Sequence, residues 1–463
     1  MISGQTMPSV GTLTRRFVMS AVLVASCIVG DHASAQFGFG GNFNRQGVVG
    51  GIYIDADGAV RQATQKERMQ QLEQMRKSVV AGQSKLSGLR VVSLVGLQKE
   101  VAEAVAQKRA VSNEALYLAG LQRIEYVFVD KENNDILLAG PAEAWTVRDD
   151  ASVVGVKSGR PVLHLEDLLV ALSTVEDARK QPISVSIDPT PEGSARLQAM
   201  LRNVRTGIGF NPASIEPMMK QALGPQNVSL ATVDTSSRMA STLVAADYHM
   251  KRLAMDLDES PVRGLPSYLD MIRNVRGATN AQQRWWINCQ YDAISHSADS
   301  TAWHLEGLGV KAMTEDEYVD AAGNRTQTGK ASPIAQKWAD NFTSKFDELS
   351  RHNAVFGDLR NVMDLNVVAT LITAHDLEAS SGCDLSGLRG ESIELEMPKS
   401  NAPKSLEPKC SFVKGAAGWV VSASGGVSIN PWKIVATQTV ENEAVGQVRT
   451  KAVSKRGSTW WWD

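Results

Sequence analysis

Four side chains that could take part in catalysis lie within a short segment of the chain. They are Cys289, His296, His304 and Glu306. A cysteine beside a histidine can act as a nucleophile with its base, whereas histidine and glutamate together can bind zinc. Their spacing matches no defined catalytic or metal motif. Ordinary polar residues on a hairpin are therefore the simpler interpretation, and no metal site is predicted.

Asp247 is a further candidate acid. It precedes Lys251 by four residues in the segment 243–257, whose apolar residues recur with helical periodicity. At this spacing the two side chains are neighbours on a helix and form an ion pair worth about 0.2–0.5 kcal/mol. We expect a structural ion pair beside the core, with a functional acid as the alternative.

Three tryptophans could contact a ligand. Trp285, Trp286 and Trp303 lie in two candidate strands, and aromatic faces of this kind can stack against sugars. Successive side chains of a strand point to opposite faces, so Trp285 and Trp286 cannot both be exposed. Packing in the core or at a domain interface is the alternative to a ligand platform.

A second tryptophan group, Trp460, Trp461 and Trp462, lies near the C-terminus. Exposed, these rings would form an apolar patch that could dock a protein partner. Docked on the parent domain, they would form a clasp. The sequence leaves both interpretations open.

The candidate residues need strands and helices to position them. Residues 284–291 are predicted to pair with 302–306 through a turn at 297–300, which would bring the four candidates together. Residues 333–372 predict a helical hairpin in the core, started by Ser332 as N-cap and followed by a nearly all-apolar second helix.

Other local patterns complete the expected fold. Arg360 and Asp364 are predicted to pair within the hairpin, and Thr314–Asp320 is predicted to be a short helix with acidic residues in its first turn. The tail is predicted to contain short strands at 411–413, 419–422, 427–429 and 432–435. The fold class is therefore α+β, with mixed α/β segments, a core helical hairpin and a small β-rich C-terminal module.

We expect five segments along the chain. They are a signal peptide at 1–35, a disordered lead-in at 36–50, a mixed α/β region at 51–240, a central α+β region with the helical hairpin at 241–380, and a β-rich tail at 381–463.

The first 35 residues have the pattern of an export signal. Arg15 and Arg16 precede a mostly apolar run at 17–29, and small residues up to Ala35 form a cleavage site. This predicts export through the inner membrane to the periplasm or the medium. A lipoprotein signal at Cys27 and a twin-arginine signal are alternatives.

Composition limits the class of partner. The chain has 48 lysines and arginines against 50 aspartates and glutamates, a formal net charge of −2. Such a balance gives no electrostatic basis for binding nucleic acid or an anionic membrane. We expect no transmembrane anchor after cleavage. Cys383 and Cys410 could form one disulfide in an oxidising compartment, leaving Cys289 as a buried free thiol or, alternatively, a reactive one.

Known catalytic and cofactor signatures are missing from the sequence. It contains no glycine-rich phosphate loop, no Gly-x-Ser-x-Gly elbow and no His-Glu-x-x-His helix. Ser411 and Lys414 have the Ser-x-x-Lys spacing without its companion motifs. Residues 55–58 lack the further acidic positions of a calcium loop. The sequence therefore predicts no cofactor.

Several long strings lie between residues 90 and 375. They are LAGLQRIEYVFVD at 118–130, LLAGPAEAW at 137–145, SGRPVLHLEDLLVAL at 158–172, SIDPTPEG at 186–193, LVAADYHMKRLAMDL at 243–257 and RWWINCQYD at 284–292. With the helical hairpin, they resemble a family of exported planctomycete proteins catalogued only as a domain of unknown function. The resemblance implies no activity, ligand or catalytic residue, and it fades before the 382–463 tail.

Two hypotheses about function follow. The first is a non-catalytic exported protein with a structural or binding role in the cell envelope. The second is an envelope hydrolase with an unrecognised site near Cys289, His304 and Glu306. Convergence of those three side chains in a concave pocket would favour the hydrolase.

Overall fold

Strands in the part of the chain that the structure describes form a ten-stranded sheet, a six-stranded sheet and a two-stranded hairpin. The structure is a computed structural model. It describes residues 48–49, 52–54, 59–82, 84–204, 214–272, 282–393, 395, 402–408, 424–454 and 461–462. The predicted signal peptide, and all but residues 48–49 of the predicted lead-in, lie outside these ranges.

The strands are given in their spatial order. The ten-stranded sheet contains β1 (Val48–Val49), β2 (Ile52–Ile54), β3 (Ala59–Gln62), β16 (Ser405–Leu406), β10 (Gln226–Ala231), β9 (Ile183–Pro189), β17 (Ser424–Ile429), β11 (Gln282–Gln290), β14 (Gly309–Val319) and β15 (Arg325–Gln327). The six-stranded sheet contains β18 (Thr439–Glu441), β12 (Ala293–His296), β13 (Ala302–Glu306), β5 (Tyr126–Asp130), β6 (Asp135–Ala142) and β4 (Ser87–Ser93). The hairpin pairs β7 (Trp145–Val147) with β8 (Val153–Gly155).

The helices lie between and beside these sheets. They are α1 (Gln65–Ser78), α2 (Leu94–Ala106), α3 (Asn113–Leu116), α4 (Leu165–Lys180), α5 (Pro191–Arg202), α6 (Glu216–Leu223), α7 (Arg238–Ala254), α8 (Tyr268–Ile272), α9 (Pro333–Ser344), α10 (Phe346–His352), α11 (Ala354–Ala374), α12 (Leu377–Ser381), α13 (Pro431–Gln438) and α14 (Ala444–Val453). The predicted α+β class is confirmed.

β17 is the seventh of the ten strands in the large sheet, where it lies between β9 and β11, although it comes from the C-terminal tail. It lies antiparallel to β9 and parallel to β11. Gly425 has a φ of 122°, and a Cβ there would lie 1.6 Å from the carbonyl oxygen of Trp285. Glycine is therefore needed for this close backbone approach. Strands from the three segments at 51–240, 241–380 and 381–463 share this one sheet.

The helix α11 is the core helix, because residues 354–372 are all buried. It packs against α4, α7 and α13. Before it, Ser332 caps α9 by accepting from the Ala335 amide at 3.3 Å, and Pro333 occupies the first helical position. The predicted helical hairpin is confirmed, with one difference: its first arm breaks at Lys345 into α9 and α10. Charged residues of α11 are buried and need partners inside the protein.

One face of the six-stranded sheet is covered by α14. Its Val445 and Ala452 pack with Phe128, Leu137 and neighbouring apolar residues of the strands. The helix contacts β12 and β13. A second, smaller apolar core therefore lies between α14 and this face of the sheet.

Two local predictions were wrong. Residues 314–319 belong to β14, where Thr314 pairs with Trp285 and the acidic residues face arginines across the strands. Sheet pairing thus overrides a local helix-capping signal. Residues 432–435 lie in α13, which begins with Pro431 and has Asn430 as N-cap, bonded to the Lys433 amide. β17 confirms the strand at 427–429, whereas the predictions at 411–413 and 419–422 lie outside the described residues.

Candidate functional site

Cys289 and His304 lie in different sheets. β11 pairs with β14 and β17, whereas β13 pairs with β12 and β5. The predicted pairing of 284–291 with 302–306 is therefore wrong. The chain leaves the ten-stranded sheet after Gln290, and the short β12 that follows is the partner of β13 instead. The expected neighbourhood of the four candidate residues is divided between two sheets.

Cys289 is buried in the core, where its thiol is hydrogen-bonded to Tyr291 and feels the charge of Asp364. The Tyr291 hydroxyl donates to Asp364 Oδ1 at 2.6 Å. Burial raises the pKa of Cys289 well above its usual range, and the negative charge of Asp364 adds to this effect. The thiol is therefore protonated at neutral pH, and it lacks the thiolate character of a catalytic cysteine.

His304 and Glu306 do lie together, with Ser295 beside them. His304 Nδ1 lies 3.5 Å from Glu306 Oε1, and the Ser295 hydroxyl donates to the same oxygen. Burial lowers the pKa of His304 against the opposing charge of Glu306. In a nucleophilic triad the histidine stands between hydroxyl and carboxylate. Here the carboxylate stands between them, so Ser295 has no imidazole base.

The His304 ring is held by stacking. It lies parallel to the Tyr126 ring, with centroids 4.3 Å apart and an interplanar angle of 10°. His296, by contrast, faces Trp303 at 4.9 Å, and Trp303 in turn contacts His375 at 4.3 Å. In the hairpin of β12 and β13, Ser295 pairs with His304, and His296 pairs with Trp303. Successive side chains of a strand point to opposite faces, so His296 and His304 lie on opposite sides of the hairpin. Within the described ranges, no group of three His, Cys, Asp or Glu side chains could hold a metal ion.

Asp247 forms the predicted ion pair with Lys251, but deep in the core. Lys251 Nζ lies 2.7 Å from Asp247 Oδ2 and also donates to the carbonyls of Ile187 at 3.0 Å and Gly425 at 3.2 Å. Burial raises the pKa of Asp247 to about 6, although Lys251 opposes the shift. The pair therefore ties α7 to β9 and β17, which is a structural role.

A cluster of arginines and aspartates at α11 was not predicted. We call Arg123, Arg160, Arg360, Asp347 and Asp364 the arginine cluster. Asp347 accepts from Arg160 at 2.8 and 3.0 Å and from Arg360 at 3.0 Å. Asp364 lies 3.6 Å from Arg123 Nε. The predicted pairing of Arg360 with Asp364 is wrong as a direct contact, because Arg360 bonds the carboxylate of α10.

Asp347 is the most strongly stabilised carboxylate of this cluster. Hydrogen bonds and charge from Arg160 and Arg360 hold its pKa well below the usual range, against the opposing effect of burial. Arg351 also donates to it, at 2.7 Å. The sequence signal was weak because these residues come from three distant segments, and only the spacing of Arg360 and Asp364 was visible.

The side of the ten-stranded sheet opposite α7 has a different composition, and we call it the outer face. Along β11 and β9, buried residues alternate with half-buried ones. In register across β10, β9, β17, β11 and β14, the outer face carries Asn227, Ser229, Ser184, Ser186, Asp188, Gly426, Ser428, Arg284, Trp286, Asn288, Lys311 and Met313. The short side chains of serine, asparagine and glycine therefore form a shallow surface beside one tryptophan, Trp286.

Trp286 is the one half-exposed ring among the three predicted ligand tryptophans. The Arg284 guanidinium lies over it, 4.6 Å from the ring centroid. Trp285 and Trp303 are fully buried. Trp285 packs against Tyr268 and Trp338, with centroids 4.9 and 5.5 Å away. These two rings belong to the core, and Trp286 alone of the three can contact a ligand.

The C-terminal tryptophans dock onto β4. The Ser93 amide donates to the Trp461 carbonyl at 2.6 Å, and Trp462 forms a β-bridge with Val92. The Trp461 side chain is buried, and Arg90 lies 5.0 Å from the centroid of the Trp462 ring. Trp460 lies outside the described residues. These contacts favour the clasp over the docking site for a partner.

The remaining cysteine prediction concerns a disulfide. The Ser381 hydroxyl donates to Cys383 Sγ at 3.1 Å. Cys410 lies outside the described residues, so the Cys383–Cys410 disulfide stays a prediction. In the described part of the chain, no helix is both long and apolar enough to cross a membrane.

One segment of the chain matches a known family model. Residues 185–268, which run from β9 to the start of α8, match the model of a family described as "Protein of unknown function (DUF1598)". This confirms the resemblance to a family of unknown function, whereas the planctomycete origin stays a prediction. No curated protein and no solved structure matches the chain.

Proposed function

We propose that this chain is an exported, non-catalytic binding protein of the cell envelope, and that the outer face takes a polysaccharide as its ligand. The observation that carries this proposal is the composition of the outer face. Its β-strands present serine and asparagine side chains beside the half-exposed Trp286. Hydroxyl and amide groups can donate to and accept from sugar hydroxyls, and an indole face can stack on a sugar ring.

The position of Trp286 supports this proposal. A cation–π contact of the kind that Arg284 makes is worth about 0.5–1 kcal/mol at an exposed site. It holds the ring in place before a ligand arrives, which lowers the entropy lost on binding. The glycine and serines of β9 and β17 leave room for a chain-like ligand along the sheet.

Charge supports a neutral ligand over a polyanion. Basic Arg284 and Lys311 on the outer face are accompanied by Asp188 and Glu315, and Arg284 lies 3.9 Å from Glu315. The whole chain has a net charge of −2. A nucleic-acid surface would need a clear excess of positive charge.

The hydrolase alternative finds little support in the geometry. Cys289 is buried with a raised pKa, and Ser295 donates to Glu306 rather than to a histidine. An envelope hydrolase near Cys289, His304 and Glu306 would need the Cys289 and Ser295 side chains to be rearranged.

Binding to polysaccharide can be tested by co-sedimentation of the full chain with insoluble peptidoglycan sacculi and with an insoluble neutral glucan. We expect Trp286→Ala to weaken binding about tenfold, the equivalent of about 1.4 kcal/mol. Trp432→Ala is the matched control. Trp432 is also half-buried, and Arg179 lies 4.5 Å from its ring centroid. Thermal unfolding of both variants checks their folding.

Equal binding by wild type and Trp286→Ala would refute the outer face as the ligand site. Release of soluble sugars or peptides by the wild type, lost in Glu306→Gln, would favour the hydrolase. Export is tested separately by the intact mass of protein recovered from the envelope. Cleavage after Ala35 predicts a first residue of Gln36.

A further inference from the structure

The arginine cluster has more hydrogen-bond donors than acceptors. Arg123 Nε and Nη2, Arg160 Nε and Arg360 Nε are buried atoms with no hydrogen-bond partner among the described residues. A guanidinium has only donors. Leaving a buried donor unpaired costs about 1–3 kcal/mol, and more for a charged group. Several such atoms in one cluster indicate a missing acceptor.

The protein's own carboxylates are already engaged. Both oxygens of Asp347 accept from Arg160, while Oδ1 also accepts from Arg360 and Oδ2 from Arg351. Asp364 accepts from the Tyr291 hydroxyl at 2.6 Å and the Ile124 amide at 3.2 Å. The Arg123–Asp364 separation of 3.6 Å is too long for a hydrogen bond.

Positive charge in the cluster exceeds negative charge only at its rim. Arg123, Arg160 and Arg360 face Asp347 and Asp364, with Arg351 as a fourth cation at the rim. Glu125 is the third carboxylate whose charge acts on Arg123. The surplus cation is Arg351, whose side chain is 48% exposed, so the other three arginines meet three carboxylates. Arg123 and Arg360 lie near enough that the charge of Arg123 adds to burial in lowering the pKa of Arg360.

The cluster runs from the surface into the core. The side chains of Arg160 and Asp347 are 26% and 31% exposed, that of Arg123 is 14% exposed and that of Arg360 is 2% exposed. Water could satisfy the free N–H groups singly, whereas one oxyanion offers several acceptor oxygens to them at once.

We propose that the arginine cluster binds a small oxyanion, a carboxylate or phosphate group, held by Arg123 and Arg360. Guanidinium groups match the two oxygens of such a group through paired N–H donors. This site is independent of the outer face, and it assigns a ligand to residues that the polysaccharide proposal leaves unused.

The test is the thermal unfolding of the full chain with sodium phosphate, sodium acetate or sodium chloride at constant ionic strength. We expect phosphate or acetate to raise the unfolding temperature with a saturable dose dependence. Arg360→Met should weaken this response at least tenfold. Arg252→Met is the control, because Arg252 is similarly buried, with a side chain 10% exposed, but bonds Asp258 and the Leu257 carbonyl.

Response to acetate alone identifies a carboxylate site, and response to phosphate alone a phosphate site; either supports the proposal. An equal response to chloride, or an equal response by Arg360→Met, would overturn it. If Arg360→Met does not fold, Arg123→Met replaces it with calorimetric titration of the same anions. Unchanged affinity in that variant would also overturn the proposal.

Discussion

The Asp247–Lys251 pair and the arginine cluster are both buried groups of charges, but they differ in how completely they are paired. Lys251 has three donors, and they meet a carboxylate and two backbone carbonyls. In the arginine cluster, four guanidinium atoms meet no acceptor. The Lys251 cation is thus fully paired and fixes the packing of elements, although Asp247 Oδ1 has no hydrogen-bond partner among the described residues. The unpaired guanidinium donors of the arginine cluster leave capacity for a ligand.

The two groups also differ in what they connect. Lys251 joins α7 to the central strands β9 and β17, so its bonds hold a helix onto the ten-stranded sheet. The arginine cluster joins α10 and α11 to the segment before β5 and to the turn at Arg160. The Asp247–Lys251 pair stabilises a helix–sheet contact inside the protein, whereas the arginine cluster extends to the surface. We therefore expect mutations to affect stability in the first and binding in the second.

The largest effect is expected for Asp247→Ala. It leaves Lys251 as a buried cation without its counter-charge, which costs about 3–5 kcal/mol in comparable cases. Urea unfolding measures the loss in free energy of unfolding. The double variant Asp247→Ala/Lys251→Met is the control, and it should recover much of this loss because no charge remains buried. A loss below about 1 kcal/mol for the single variant would contradict the buried-pair interpretation.

Sequence alone could predict the first group but not the second. Asp247 and Lys251 lie four residues apart in a periodic helix, so their contact is local. The arginine cluster combines residues separated by up to 241 positions, from Arg123 to Asp364. No local period connects them. The nearest local signal, Arg360 four residues before Asp364, predicted the wrong partner because α10 brings Asp347 closer.

The difference between local and long-range contacts also explains which parts of the fold the sequence could predict. The helical hairpin depends on neighbouring segments, and it was predicted. The partners of β11 were not predicted. β11 pairs with β14 instead of β13, and its second partner, β17, lies far away in the sequence at residues 424–429. The acidic run at 315–317 favours a helix start locally, but it is paired with Arg284 and Arg325 only after the sheet forms.

A smaller effect should appear in the pH dependence of stability. Burial raises the pKa of Asp247 to about 6 from 3.8. The folded state therefore holds this proton more tightly than the unfolded state, and stability falls as pH rises from 4 to 6. At about 1.36 kcal/mol per pKa unit, the fall is about 3 kcal/mol.

Subtracting the curve of Asp247→Asn from that of the wild type isolates this contribution. Asp347 contributes with the opposite sign, because its pKa is lowered. Its stabilisation is present above its ordinary pKa and is lost as pH falls below about 4. It cancels in the subtraction, since both proteins carry it. Parallel curves between pH 4 and 6 would show that Asp247 titrates normally.

The smallest effect on stability is expected for Arg360→Met, although it too removes a buried charge. Asp347 keeps Arg160 and Arg351 as partners, and the loss of one cation relieves its repulsion with Arg123. Removing one partner of a buried ion pair is costly when it leaves the other charge unpaired, and here the Asp347 carboxylate retains two cations. In anion-free buffer we expect a change within about 1 kcal/mol, measured by urea unfolding beside Asp247→Ala. A loss as large as that of Asp247→Ala would mean that Arg360 has a structural role like that of Lys251. It would contradict the expectation that the arginine cluster serves binding and the Asp247–Lys251 pair serves stability.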